Sequence, residues 1–503
     1  MIYKLISLIV CLSLISSCTR EKRPKEVVLY ETYCASCHLA PTIESLPKNI
    51  WEENVLPAMG ARMGINTPGY HPYRNLSFPE QMAIMKSGVY PDRPMIDPKD
   101  WETLKNYILF MAPDSLPTPE NKIASIPLQQ FEINPIALDS VYGSLITFLK
   151  IDNQNGTILT GTQNGELNAY DLKTQESSLL GYFDRGITDA RILGDTINVT
   201  TMGKLNPSQT PVGSSMRRVG EATARLADSL HRPVNTVYID LDMDGTEEII
   251  ISEFGDLTGQ LSLLELDNFG FYKKSNLLNL PGTVRTIPKD MDGDDKLDLV
   301  VMAAQGDESV YILYQEKDLK FRIEKVLRFS PVYGSSWFEL VDYNGDGYDD
   351  IITVNGDNAD KSFVNKPYHG MRIHINDGKN HFEEKFFYPL NGATRVVAND
   401  FDKDGDMDIA VLATFPDYDR HPDFNFVYLE NKDSSTFQFQ QQNLTDTSMG
   451  RWFLMDSADI DGDGDEDLVL SSLTYFFTPI PKEISEEWGK SYTDLLILEN
   501  KLY

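Results

Sequence analysis

The sequence predicts a small all-α domain followed by an all-β propeller of seven blades. Three observations carry that reading. A Cys-x-x-Cys-His stretch lies between two helix-periodic segments, ahead of a proline-rich break. Five acidic loops of one pattern then recur at intervals of 50 to 59 residues. Lastly, the final repeat is one strand short, while an unassigned β-prone segment, Gln129 to Ile136, sits just after the break.

Residues 1–17 read as an export signal. Lys4 gives the positive start, and Leu5 to Ile15 form an apolar run too short to span a bilayer. Ile15-Ser16-Ser17-Cys18 resembles a bacterial lipobox, which implies that Cys18 is acylated and becomes the first residue of the mature chain. Cys11, preceded by bulky Val10, is the worse candidate. Residues 18–25 then form a charged tether. The protein is thus expected to be exported and lipid-anchored, at an outer membrane or cell surface rather than an inner membrane. No later stretch is apolar enough to cross.

Residues 26–112 read as the helical domain. Cys34 and Cys37 can add across the two vinyl groups of a porphyrin, and the adjacent His38 is placed to bind its iron. With Cys11 in the apolar leader and Cys18 at its end, no cysteine remains for a disulfide framework. Asp97-Pro98-Lys99-Asp100 is a helix start, with a capping aspartate and proline in the first turn. Trp101, Leu104, Ile108 and Met111 follow at helical spacing. Pro113, Pro117 and Pro119 end the helix and open a linker over residues 113–127.

This arrangement resembles class I c-type cytochromes. The resemblance implies covalent haem c on Cys34 and Cys37 with His38 as axial ligand. It also implies first and last helices that cross beside the haem, and a second axial ligand, usually methionine, on the loop before the last helix. Met95 in Arg93-Pro94-Met95-Ile96 occupies that loop. Met59 and Met63 are rivals, and His71 or an open position stand behind them.

Residues 128–503 are organised by the repeat. Its first copy holds Asp240, Asp242, Asp244, Thr246 and Glu248 at positions 1, 3, 5, 7 and 9. The second holds Asp290, Asp292, Asp294, Lys296 and Asp298, and the third Asp342, Asn344, Asp346, Tyr348 and Asp350. The fourth holds Asp400, Asp402, Asp404, Asp406 and Asp408, and the fifth Asp459, Asp461, Asp463, Asp465 and Asp467. Oxygen side chains at 1, 3 and 5, the carbonyl of 7 and an acid at 9 suit one hard cation, and glycine at 6 permits the turn. The second copy has Asp295 at that sixth position.

Each loop lies between β-prone runs, and four strands in ~50–60 residues make one propeller blade. Two blades without the loop fit before Asp240, with Ala222 to Leu230 read as a strand. Gln129 to Ile136 is expected to complete the last blade and remove the open edge. The repeats look like the FG-GAP/VCBS family, the calcium-loop propellers related to those of integrin α chains. The resemblance implies up to five calcium ions. Phe254-Gly255 is the one copy of the family's Phe-Gly pair.

The balance of 76 Asp+Glu against 45 Lys+Arg, a net −31, argues against nucleic acid as a partner. His369, His374 and His381 are expected on strand and loop surfaces. Asn355 to Asp360 with Lys366 to Gly370 form an unexplained polar patch that reads as a long inter-strand loop. The sequence favours an exported haem electron carrier whose propeller docks a redox partner or surface ligand that it does not identify. The alternatives are a haem-linked oxidoreductase with a substrate or cofactor site on the propeller, and a glycan-binding or adhesive propeller.

Overall fold

The computed structural model describes residues 23–119, 123–357, 362–475 and 478–502. The expected signal, Cys11, Cys18 and most of the tether lie outside the described residues, as do Asn358 and Asp360.

The N-terminal region is helical. Lys25–Tyr33 leads into the Cys34–His38 turn, and Pro98–Met111 closes the unit with the Asp97 side chain accepting the Lys99 amide at 2.8 Å. Between them, Lys48–Ile50, a π-turn at Trp51–Val55 and Leu56–Arg62 follow without a break. Pro57 lacks an amide and crowds the preceding turn, and the wider π-turn just before it relieves both faults. Phe78–Ser87 starts with a capping box, Ser77 with Glu80. Three of the four residues of the predicted stripe form the core: Trp101, Leu104 and Ile108 bury against Leu29, Leu46, Ile50 and Trp51, whereas Met111, at the helix end, is exposed. Burial of such side chains is worth roughly 1.5–3 kcal/mol each. Among the described residues no helix is long and apolar enough to cross a membrane.

Residues from 125 onward form seven sheets arranged as propeller blades, each with a core of four antiparallel strands. Blades 1 and 2 span residues 146–182 and 187–230, and Ala222–Leu230 is indeed the outer strand of blade 2. Blades 3, 4, 5 and 6 begin at Pro233, Thr283, Ser335 and Ala393. Blade 7 takes Trp452–Ala458, Asp467–Ser472 and Leu495–Asn500 from the C-terminal end. Its fourth strand is Phe131–Ile136, paired antiparallel with Leu495–Asn500. The ring therefore closes as the missing strand required. Ser125–Pro127, read as the end of the linker, instead pairs in parallel with Gln441–Asn443 as a fifth strand of blade 6.

The first strands of successive blades touch one another around the ring and line the central channel, with blade 7 meeting blade 1. Because strands alternate in direction, the loops between first and second strands all emerge on one face. The loops between second and third strands, and those between blades, emerge on the other.

The helical unit sits on that other face. Val332 and Tyr333, between blades 4 and 5, and Val364 and Tyr368 of blade 5 pack into its apolar core. Tyr368 Oη donates to Ser45 O at 2.7 Å. At blade 2, Ser208 Oγ donates to Glu80 Oε1 at 2.8 Å, and Lys204 Nζ lies 3.6 Å from the same oxygen. Hydrogen bonds from Ser77 and Ser208 hold the Glu80 carboxyl down to about 2. Blades 2 and 5 lie on nearly opposite sides of a seven-membered ring, so the unit bridges across it.

Two histidines correct the surface expectation. His369 and His374 are buried, at 0 % and 2 % exposure, whereas His381 is exposed beside Asp377. Gly370–Asn376 is a third strand covered on both faces, so its polar side chains are enclosed with the rest.

Candidate functional sites

At the helical site, Cys34 and Cys37 are both free thiols, the first half-buried and the second exposed. Cys34 packs at the edge of the core that also takes Tyr33, Met63 and Ile65. Burial pushes its thiol up to about 12. His38 Nδ1 lies 3.0 Å from the Leu39 carbonyl, a contact that places the proton on Nδ1 and leaves Nε2 as the free lone pair. Leu39 and Met95 leave apolar side chains uncovered, at 40 % and 59 % exposure. Two reduced thiols, an oriented imidazole and uncovered apolar surface fit a covalently held haem.

The structure relates the ligand candidates to one another. Met63 ends the helix at Arg62, and its carbonyl accepts the amide of Met95 at 2.8 Å. Met59 lies one turn earlier in that helix. His71 is exposed, and its Nδ1 already accepts the Tyr73 amide at 3.3 Å.

The five acidic loops lie together on the face opposite the helical unit and share one frame. The first-position carboxylate accepts the sixth-position amide each time: Gly245 to Asp240 at 2.9 Å, Asp295 to Asp290 at 2.9 Å, Gly347 to Asp342 at 2.8 Å. Gly405 to Asp400 and Gly464 to Asp459 repeat it at 3.1 Å. The fifth-position carboxylate accepts the seventh-position amide, from Thr246, Lys296, Tyr348, Asp406 and Asp465. Asp295 keeps the frame by adopting φ 63°, which aspartate tolerates better than most residues.

Carboxylate oxygens converge in four loops. Asp240, Asp242 and Glu248 bring one oxygen each within 4.8 Å of one another, as do Asp290, Asp292 and Asp294. Asp400, Asp402 and Asp404 form a third such group, and Asp459, Asp461 and Asp467 a fourth. In the remaining loop Asn344 replaces one carboxylate, its Oδ1 accepting the Asp346 amide at 3.0 Å. Asp400 Oδ1 and both carboxylate oxygens of Asp465 are buried without a hydrogen-bond partner. Lys296 pairs with Asp294 inside the second loop, and Lys403 of the fourth donates to the Gly464 carbonyl of the fifth.

The ninth-position acids do more than complete a shell. Glu248, Asp298, Asp350, Asp408 and Asp467 are buried at the start of each second strand, and each accepts the amide of the second loop residue, at 2.9–3.2 Å. In the last four, the other oxygen accepts a backbone amide from Gln315, Asn376, Asn431 or Asn500, at 2.7–2.8 Å. Gln315 and Asn500 then donate from their side-chain amides to Leu241 O and Phe401 O, in the loop of the preceding blade, at 2.9 and 2.8 Å. These bonds tie blade 4 to the loop of blade 3 and blade 7 to the loop of blade 6. Burial, with the neighbouring carboxylates, pushes Glu248, Asp408 and Asp467 up to about 7 and Asp350 to about 6.

Residues 290–353, spanning the second and third loops, match the family profile described as an FG-GAP-like repeat. No curated protein matches the chain. Among solved structures, the Pan2 WD40 domain of Neurospora crassa aligns at 12 % identity and TM-score 0.43, over 75 % of this chain and 98 % of that one. The N-terminal domain of Nup159 aligns at 9 % identity and TM-score 0.39, over 76 % and 99 %. The WD40 domain of SCAP from fission yeast aligns at 11 % and 0.38, over 76 % and 91 %. The seven-bladed architecture here stands on the strand pairing itself.

Proposed function

We propose that this chain is an exported, lipid-anchored c-type haem electron carrier whose propeller is a calcium-stabilised docking platform. The observation that carries the reading is the Cys34–Cys37–His38 turn, with both thiols free and His38 oriented through Nδ1. Cys34 and Cys37 would hold the haem covalently, His38 would be one axial ligand and Met95 the other. Bound there, the haem would supply a one-electron couple, and a thioether opposite imidazole raises its potential. Tyr33, Met63 and Ile65 at the core edge would shield one side from water.

Each acidic loop would hold one calcium ion, up to five in all. The unpartnered buried Oδ1 of Asp400, at the first position of the fourth loop, supports this, because such an atom is costly without a ligand. Extracellular modules bind calcium weakly, in keeping with export. Cys18 would carry the lipid that anchors the protein.

The test is a visible spectrum of the matured full-length protein, oxidised and reduced, with carbon monoxide added to the reduced form. A low-spin spectrum that ignores the gas is expected. An iron that binds it would overturn the carrier reading, and absence of any haem spectrum would overturn the haem assignment.

A further inference from the structure

Arg285, Trp337 and Arg395 are the third residues of the first strands of blades 4, 5 and 6. They therefore meet on the wall of the central channel. These strands start at the face that carries the helical unit, so the cluster lies in the half of the channel nearest to it. Each guanidinium carbon is 4.4 Å from the Trp337 ring centroid, so one indole contacts two cations, one from each flanking blade. Their hydrogen bonds differ. Arg285 donates to Phe338 O at 2.7 Å and to the Glu339 carboxylate. Arg395 donates to the carbonyl of its own neighbour, Thr394, at 2.7 Å, and forms no ion pair among the described residues.

That leaves most of a five-donor guanidinium unused inside a chain of net charge −31. Burial and the charge of Arg285 depress Arg395 to about 10, with Asp357 opposing them in part. Water reaches this stretch of the channel, because the Arg285 and Glu339 side chains keep 20 % and 19 % exposure. A planar fork with free N–H donors, held against an indole face, matches two oxygens of one anion.

We infer that the channel binds a small oxyanion, a carboxylate or phosphate group, on Arg395 with Trp337 as its backing. The site requires neither the haem nor calcium, so it stands or falls apart from the proposed function. The experiment is calorimetric titration of the full-length protein with inorganic phosphate alone and with succinate alone, which separates the two sources. Saturable binding of at least one probe is expected, weakening as salt rises. Arg395→Met should weaken it at least tenfold. Arg395→Lys keeps the charge without the fork, folds more readily, and should still weaken binding about threefold or more. Arg420→Met, which removes a surface cation paired with Asp417 at 3.0 Å, should leave it unchanged. No saturable binding by either probe, or an affinity unchanged from wild type in both Arg395 variants, would overturn the inference.

Discussion

The amide of Met95 donates to the carbonyl of Met63 across 2.8 Å, so the two leading candidates for the sixth haem ligand sit on adjoining straps. Gly64 makes the approach possible: its φ is 74°, and a Cβ there would lie 2.5 Å from Arg93 O. Because the straps are joined, replacing one methionine leaves the other within the same local frame. Met95→Ala is expected to open reduced iron to carbon monoxide and lower the midpoint potential, whereas Met63→Ala leaves both unchanged. The reverse pattern would move the ligand role to Met63.

Calcium removal should lower the melting temperature of the propeller. A ligand bound only by the folded state at 100 times its Kd stabilises by about 2.7 kcal/mol per site. Several degrees should therefore be lost in excess chelator and regained on adding calcium. Asp400→Asn and Asp459→Asn should each remove part of that response, because each takes the negative charge from the first-position oxygen ligand while keeping an acceptor for the sixth-position amide. A transition that ignores both chelator and calcium would sink the metal assignment.

Much of this architecture was readable because its signals are local. Five loops in one frame, a missing last strand and the orphan segment at Phe131–Ile136 all follow from spacing along the chain. The partners of the ninth-position acids escaped because they lie 17, 26, 23 and 33 residues downstream, across loops of unequal length. His374 escaped because Met371-Arg372-Ile373-His374 alternates as a half-exposed strand would, while the structure covers both of its faces, and His369 because it lies in the connection just before that strand. The seating of the helical unit on blades 2 and 5 had no sequence signal, since Val332, Tyr333, Val364 and Tyr368 lie in connections without periodicity.

Glu308 should make stability depend on pH. It is buried, its Oε2 accepts the Ser335 amide at 2.9 Å, and burial pushes its carboxyl up to about 7. A carboxyl raised in the folded state favours folding while protonated, and that stabilisation is lost as pH rises from the unfolded value through about 7. Each tenfold change in proton affinity is worth about 1.4 kcal/mol. Denaturant titrations should show Glu308→Gln losing less stability than wild type between pH 5 and pH 8. Parallel pH profiles for the two proteins would contradict this assignment.

The seam between helical unit and propeller should behave as a core rather than a loose contact. Val332 is 8 % exposed and sits in the same apolar cluster as Trp101 and Leu104. Tyr333 and Tyr368 stack beside it with centroids 5.1 Å apart and planes 20° apart. Val332→Asp would bury a carboxylate there without a partner, at a cost of several kcal/mol unless the two parts separate. Separation is the cheaper outcome, because each part keeps its own apolar core. Calorimetry should therefore show one transition in wild type and two in Val332→Asp, with faster proteolysis in residues 113–124. Tyr368→Phe removes the bond to Ser45 O, about 1 kcal/mol, while keeping the ring, and should retain the single transition. If Val332→Asp also melts in one step with unaltered proteolysis, the helical unit is not held through this seam.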